Sequence, residues 1–447
     1  MPPRGTNHRP FPMGFIHTAL LSALLVGFSS ASYMASHLGF DLPISSIWPA
    51  IVQVHGHTQL AGWLGLFIMG VSLHVLPRLS GVPLAFPGAV HVVWIAMAGS
   101  LTWRAVAQPL LMAGIGGPLP VVGMLMAGLA QMVAVLIYVG LLLASLRASQ
   151  IHATSHPKIG PLRPLFLLSL TSWLLFGLTM GSSTISAGLD QAGLLRLDRH
   201  LWAADLFVAG VLIPVAFAFS LRLFPLYLRI EPATWNPMGF TAAYTLTTII
   251  EFGARGPWAF WLGALSLDMG AAASLLRSLL LLLFIAGLGL HRHRTPPGKW
   301  NPEEHGDDRY GRTRPLVLAA YGFLGIGALL QAAAAGASLV GAEAWLQPAG
   351  ARHAFVAGFG TLLILGVAPR MVAGFLMVRG PAWPRLAAAT LWLAAPGAAI
   401  ATVHLSIPAT VSWPARGVLF GLAGPLLWVA VMVLAFNLWT TALRSSE

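Results

Sequence analysis

The chain has 447 residues, of which 57% are hydrophobic and only 9% charged, and a mean hydropathy of +0.78, a composition that excludes a soluble globular domain. The formal charge of +12 does not indicate a nucleic-acid partner, because the arginines are scattered through short connections between apolar runs instead of gathering on one basic face. Cysteine is absent, which excludes disulfides, thiolate metal sites and cysteine-held iron–sulfur clusters and leaves His, Met, carboxylate or backbone as metal ligands.

Taken in order, the apolar runs have the length of about 18 to 25 residues that a helix needs to cross a bilayer. They are too long and too uniformly apolar for the strands of an outer-membrane barrel. Twelve spans are expected, at about 12–34, 55–77, 88–108, 119–146, 164–187, 200–226, 237–253, 270–290, 315–340, 352–378, 386–406 and 417–442. The first follows Arg4 and Arg9 and is long enough to stay in the membrane as a helix rather than be cleaved as a signal peptide. The seventh is the least regular, since 237–270 contains Glu251, Arg255 and Asp268 and could hold one span with a long loop or an interfacial segment. Placing both termini on the cytoplasmic side gathers most of the 25 basic residues there, including Lys158 and the 291–314 connection, as the positive-inside rule requires. That connection, 291–314, mixes both charges with Pro and Gly and reads as a solvated cytoplasmic loop, and its histidines lack a regular ligand spacing. The expected fold is therefore all-α, a polytopic membrane protein forming a single transmembrane domain over 1–447.

A repeat runs through this pattern. The second span opens on His55 and His57, the sixth on His200 and the tenth on His353, spaced by about one third of the chain. The same spans close on Leu76-Pro77-Arg78, on Arg222-Leu223-Phe224-Pro225 and on Ala368-Pro369-Arg370. Four spans bring the chain back to the side where it began, so three parallel four-helix repeats, at approximately 1–150, 151–300 and 301–447, would be related by a pseudo-threefold axis along the membrane normal.

The histidines then lie at the outer ends of three equivalent helices, at similar depth. Ionisable groups inside a membrane mark functional sites by default, and imidazole is the commonest protein ligand for haem iron and copper. Taken singly, each histidine could sit at the interface, where it costs little. The recurrence at equivalent positions favours ligands. His17, His74, His91 and His404 read as packing residues or as residues that support a ligand from behind. The arginines Arg78, Arg222 and Arg370 read as topology anchors or as holders of polar networks and cofactor carboxylates, and Asp205 as a carboxylate that could orient an imidazole. The glycines of the second and tenth spans mark close packing, and Trp63, Phe67 and Phe359 could flank a porphyrin.

The His55-Gly56 pair, followed by Gly70 and Pro77, resembles the second helix of haem–copper oxidase subunit I, whose histidine at that place binds a low-spin haem. A closer resemblance is to the NnrS family of twelve-span membrane proteins. It is carried by Arg9-Pro10-Phe11, by the His55-x-His57 pair, by Leu221-Arg222-Leu223-Phe224-Pro225, and by His353 with Gly358 and Gly360 leading to Leu365-Gly366-Val367-Ala368-Pro369-Arg370. That resemblance implies a bacterial inner-membrane protein containing haem and copper and linked to nitric oxide metabolism. The chain departs from the family at Thr58, where an acidic residue usually stands, and near Phe375, where a histidine is expected. Against an oxidase, the seventh span lacks a histidine pair and the tenth has one histidine where two are needed.

Three functional readings follow. In the first, His55 or His57 pairs with His353 to ligate a b-type haem, with His200 a ligand for copper or a second haem; the spacing to Gly70 and Pro77 makes His55 the better match by analogy. Such a protein would bind nitric oxide or another diatomic ligand, or exchange electrons with a respiratory partner. In the second, the chain is a degenerate catalytic subunit related to oxidases or nitric oxide reductases. In the third it carries no cofactor and is a proton-coupled transporter using Asp205 and His200.

Overall fold

The computed structural model describes residues 12–152, 160–256, 259–263, 265–291, 307–343, 345–408, 410, 411, 413 and 415–444. Arg4, Arg9-Pro10-Phe11, Lys158 and most of the 291–314 connection, with His293 and His305, lie outside the described residues. The fold is all-α, and no strand occurs among the described residues. Eleven helices are long and apolar enough to cross a membrane: α1 (Met13–Gly39), α2 (Trp48–Arg78), α3 (Ala89–Met112), α4 (Leu119–Ala148), α5 (Gly160–Leu189), α6 (Leu197–Tyr227), α8 (Leu265–Leu288), α9 (Thr313–Leu339), α10 (Pro348–Phe375), α11 (Pro384–Ser406) and α12 (Arg416–Leu443). They make the chain an integral membrane protein surrounded by a lipid bilayer.

The irregular seventh segment is also one continuous helix, α7 (Pro237–Ala254), and is not among the eleven that are long and apolar enough to cross a membrane. Asn236 caps it by accepting from the N–H groups of Met238 and Gly239, and Pro237 occupies the first turn, where its missing N–H costs nothing. Several of its polar residues find partners within the helix, Thr241, Thr247 and Thr248 donating to carbonyls one turn back, while the Tyr244 hydroxyl and the Glu251 carboxylate bond to neighbouring helices. This internal bonding lets a less apolar sequence pack among membrane helices.

The three histidine-bearing helices form the interior. Within their most apolar windows, 78% of α2, 72% of α6 and 89% of α10 is buried, against 28% to 56% for the other apolar spans. Around them the same two packings recur three times. Helix pairs α3–α4, α7–α8 and α11–α12 pack within the successive units, and α4–α5, α8–α9 and α12–α1 pack between them, the last closing the ring. Glycine permits two of the inter-unit approaches. A Cβ on Gly39 of α1 would lie 2.4 Å from the backbone nitrogen of Gly421 on α12, and one on Gly128 of α4 would lie 2.5 Å from the carbonyl of Gly181 on α5. With no hydrophobic driving force between helices in lipid, such backbone-to-backbone contact is what holds them together.

Four helices contain a π-helical stretch: Ala23–Gly27 in α1, Thr58–Gly65 in α2, Val208–Leu212 in α6 and Ala354–Gly360 in α10. All three inner helices are therefore widened just past their histidines, which the sequence did not reveal. A π stretch leaves a carbonyl without its usual i+4 donor, and such a group must find another partner inside a membrane. Here the Gly27 carbonyl accepts from His55, the Ala209 carbonyl from the Tyr244 hydroxyl at 2.8 Å, and the Val356 carbonyl from the Thr361 hydroxyl at 3.0 Å.

Candidate cofactor cavity

Residues 55 and 57 are two apart on a helix, so their side chains leave it about 200° apart. His55 faces α1, α10 and α12; His57 faces α4 and α5. The first side opens on a cavity of about 390 Å³ lined by residues of α1, α2, α6, α10, α11 and α12. Three imidazoles stand on its wall, those of His55, His200 and His353, and the rest is overwhelmingly apolar, with Phe28, Trp48 and Phe420 as its aromatic residues.

Two of the imidazoles are held alike. His55 Nδ1 donates to the Gly27 carbonyl at 2.9 Å, and His353 Nδ1 donates to the Ala349 carbonyl at 2.9 Å. A carbonyl can only accept, so in each ring the proton sits on Nδ1 and Nε2 carries the lone pair. This is the arrangement in which a histidine is set to ligate a metal, its second nitrogen fixing ring orientation and tautomer. His55 and His353 are also within electrostatic reach of one another. His200 is held differently. Its Nδ1 is buried without a partner, and its Nε2 lies 3.6 Å from the place a Cβ on Gly56 would occupy, so this ring packs beside the backbone of α2 at Gly56.

His57 is elsewhere. It is buried, its Nε2 donates to the Gln131 amide oxygen at 3.0 Å, and its ring lies parallel to that of Phe176. The structure thus places His55, His200 and His353 on one cavity wall, while His57 lies off that wall, hydrogen-bonded to Gln131 and within electrostatic reach of His200. Among the described residues, no group of three His, Asp or Glu side chains is placed to hold a metal ion.

Asp205 does not orient an imidazole. Its carboxylate accepts two bonds from Arg352, from Nε at 2.6 Å and NH2 at 3.1 Å, and a third from Arg255 at 3.4 Å. Arg352 lines the cavity next to His353. The expectation that Asp205 serves a histidine is corrected for this reason: a bidentate guanidinium is the stronger partner, and it occupies both carboxylate oxygens. The arginines at the helix ends are likewise not at the cavity. Arg78 donates to the His74 carbonyl at 2.7 Å, and Arg370 lies over the rings of Tyr227 and Tyr310 and donates to the Tyr227 carbonyl. Arg222 lines a second, smaller cavity of about 140 Å³ between the other halves of α2, α6 and α10. Arg352 is the cation on the wall of the histidine cavity. It was missed because an arginine beside an outer helix end reads as an ordinary interfacial charge; its position directly before His353 was the available signal.

The aromatic residues are also redistributed. Trp63 is buried and donates to the Thr361 hydroxyl at 3.2 Å, Phe67 lines the smaller cavity, and Phe359 packs edge-on against Tyr321. None of the three lines the histidine cavity. His17 accepts from Trp439 Nε1 at 3.0 Å, His74 packs on Phe375, and His404 stacks on Phe420 at 3.7 Å between ring centroids, all of them packing roles.

Comparison with protein-family models and with curated proteins found no match for this chain.

Proposed function

We propose that this chain is a haem-binding membrane protein of the NnrS type, in which His55 and His353 hold one b-type haem between α2 and α10. The observation that carries the reading is the pair of imidazoles on the wall of one apolar cavity of about 390 Å³, each with Nδ1 tied to a backbone carbonyl and Nε2 left to coordinate. The donor set fits the group: His55 and His353 would hold it through two neutral imidazoles, an apolar wall suits a macrocycle, and Arg352 would offer a cation to its carboxylates. Of the two histidines left open by the sequence, the geometry favours His55, since His57 is committed to Gln131 on the far side of the helix.

When bound, the haem would supply a one-electron couple. The chain's own part is to fix ligand orientation through Gly27 and Ala349 and to keep the surroundings dry. Because His55 and His353 would both be committed to holding the haem, the chemistry favoured is electron exchange with a respiratory partner, and nitric oxide or another diatomic ligand would compete with those histidines. Copper at His200 is disfavoured, because Arg104 and Arg352 both act electrostatically on that ring and repel a second cation. The transport reading loses its proton site, since Asp205 is bound by two guanidinium groups and no hydrogen bond joins it to His200. The proposed setting is a bacterial inner membrane with both termini cytoplasmic, which puts the cavity in the outer half of the bilayer.

The test is the optical spectrum of protein purified from a haem-replete host. A low-spin b-type spectrum is expected, lost or converted to high-spin in both H55A and H353A and retained in H57A. Absence of a Soret band, or an unchanged spectrum in H353A, overturns the reading.

A further inference from the structure

Of the three arginines Arg104, Arg277 and Arg352, which lie among the membrane helices, the first two are buried and the last is half-buried, and two have carboxylate partners. Arg277 of α8 is bound by Glu251 at 2.6 Å and Arg352 by Asp205 at 2.6 Å. The third, Arg104 of α3, has none. It is 1% exposed, its Nε donates to the Gln108 amide oxygen at 3.0 Å, its NH1 points to the Met180 sulfur at 3.9 Å, and its NH2 is buried without a partner. Every contact is neutral, and among the described residues no carboxylate forms an ion pair with it.

A guanidinium does not relieve this by losing its proton. An uncompensated charge in the membrane interior costs several kcal/mol. Two further buried polar groups on the helices packed around it, an amide and a hydroxyl, are still free to donate. Gln131, whose oxygen accepts from His57, has its buried Nε2 unpartnered, and His57 is within electrostatic reach of Arg104. Ser183, one turn along α5 from the Met180 that touches Arg104, has its buried hydroxyl unpartnered. A cluster with unspent donors and one unmatched positive charge calls for an acceptor carrying one negative charge. A cation is excluded by Arg104 itself, and a divalent oxyanion would exceed the single charge available. Arg104 is tied to the histidine cavity by hydrogen bonds, since Gln53 on the cavity wall accepts from Gln108 at 2.8 Å, and Gln108 in turn accepts from Arg104.

We propose that Arg104, with the Gln131 amide and the Ser183 hydroxyl as neighbouring donors, binds a small monovalent inorganic anion inside the bundle, at a site separate from the histidine cavity.

The test is thermal unfolding of the purified protein in detergent, with chloride, bromide or nitrate titrated against gluconate at constant ionic strength. The small anions are expected to raise the midpoint saturably, whereas gluconate, too large for the site, does not. R104Q should abolish this dependence and unfold no earlier than the wild type in gluconate, because it removes the unmatched charge. Q131A, which keeps the charge but removes a donor, should raise the half-saturating anion concentration by at least about tenfold, the lower end for a hydrogen bond to a charged group. A wild-type midpoint that is the same in every anion, or that drifts without saturating, overturns the proposal. So does an anion response preserved in R104Q; if R104Q fails to fold, unchanged half-saturation in Q131A does the same.

Discussion

Replacing Glu251 by Gln would remove the negative charge from the most deeply buried ion pair of the protein. The Glu251 and Arg277 side chains are 0% and 3% exposed, and the guanidinium binds both carboxylate oxygens, Nε to Oε2 at 2.6 Å and NH2 to Oε1 at 3.2 Å. Arg255 and Gln331 complete the shell at 3.2 Å and 3.4 Å. Glutamine keeps the shape and one acceptor oxygen but leaves Arg277 without a counter-charge, a change that costs about 3–5 kcal/mol when a buried pair is broken from one side. A remaining amide acceptor places the expected loss at the lower end, about 3 kcal/mol. Removing both charges is different, because a buried pair replaced by apolar residues of similar volume is often neutral. The double variant E251L/R277M should therefore recover most of what E251Q loses. The assay is the unfolding midpoint of purified protein in detergent, with a drop of roughly 5 °C for the single variant, given that 1 kcal/mol moves a domain of 150–250 residues by about 2–4 °C and a larger one by less. A midpoint for E251Q equal to that of the wild type would refute the argument, as would a double variant no more stable than the single one.

Other substitutions separate the parts of the site. Asp205→Asn should loosen Arg352 at the cavity wall and, on the haem reading, shift the reduction potential while leaving the low-spin spectrum in place; potentiometric titration measures it. Gln131→Leu should destabilise the fold by about 1–3 kcal/mol through the orphaned His57, with the spectrum unchanged, because an unsatisfied buried donor bears its full desolvation cost. Gly39→Leu should separate α1 from α12 and cost about 1–3 kcal/mol through overpacking, visible as an earlier unfolding transition.

How much of this was legible in the sequence depended on which property was at issue. The span positions follow from hydrophobic length, which the bilayer imposes on any chain, and the helices formed where the apolar runs lay. The threefold recurrence was carried by histidines and by Pro-Arg ends at equal spacing. Which of His55 and His57 meets His353 was not legible, because two residues of separation assigns them to opposite sides of a helix without saying which side is interior. The roles of Asp205 and Arg352 were hidden for a related reason. They are 147 positions apart in sequence and meet only through the packing of α6 against α10. Arg104 looked like one of several outer charges, since burial by α4 and α5 cannot be read from α3 alone.

The π-helical stretches past the three histidine positions have a consequence for how this architecture tolerates change in length. Each such stretch holds a surplus residue relative to an α-helix, and a residue turns an α-helix by about 100°. Deleting one position within Ala354–Gly360 would let the stretch close into ordinary α-helix and rotate the segment carrying His353 and Arg352 by that angle against the rest of α10. The imidazole would leave the cavity wall although no wall residue had been touched. The stretches thus act as phase settings: they allow one helix to present its histidine inward near one end and its close-packing face inward along the remainder, two requirements that a single uninterrupted periodicity would set against each other.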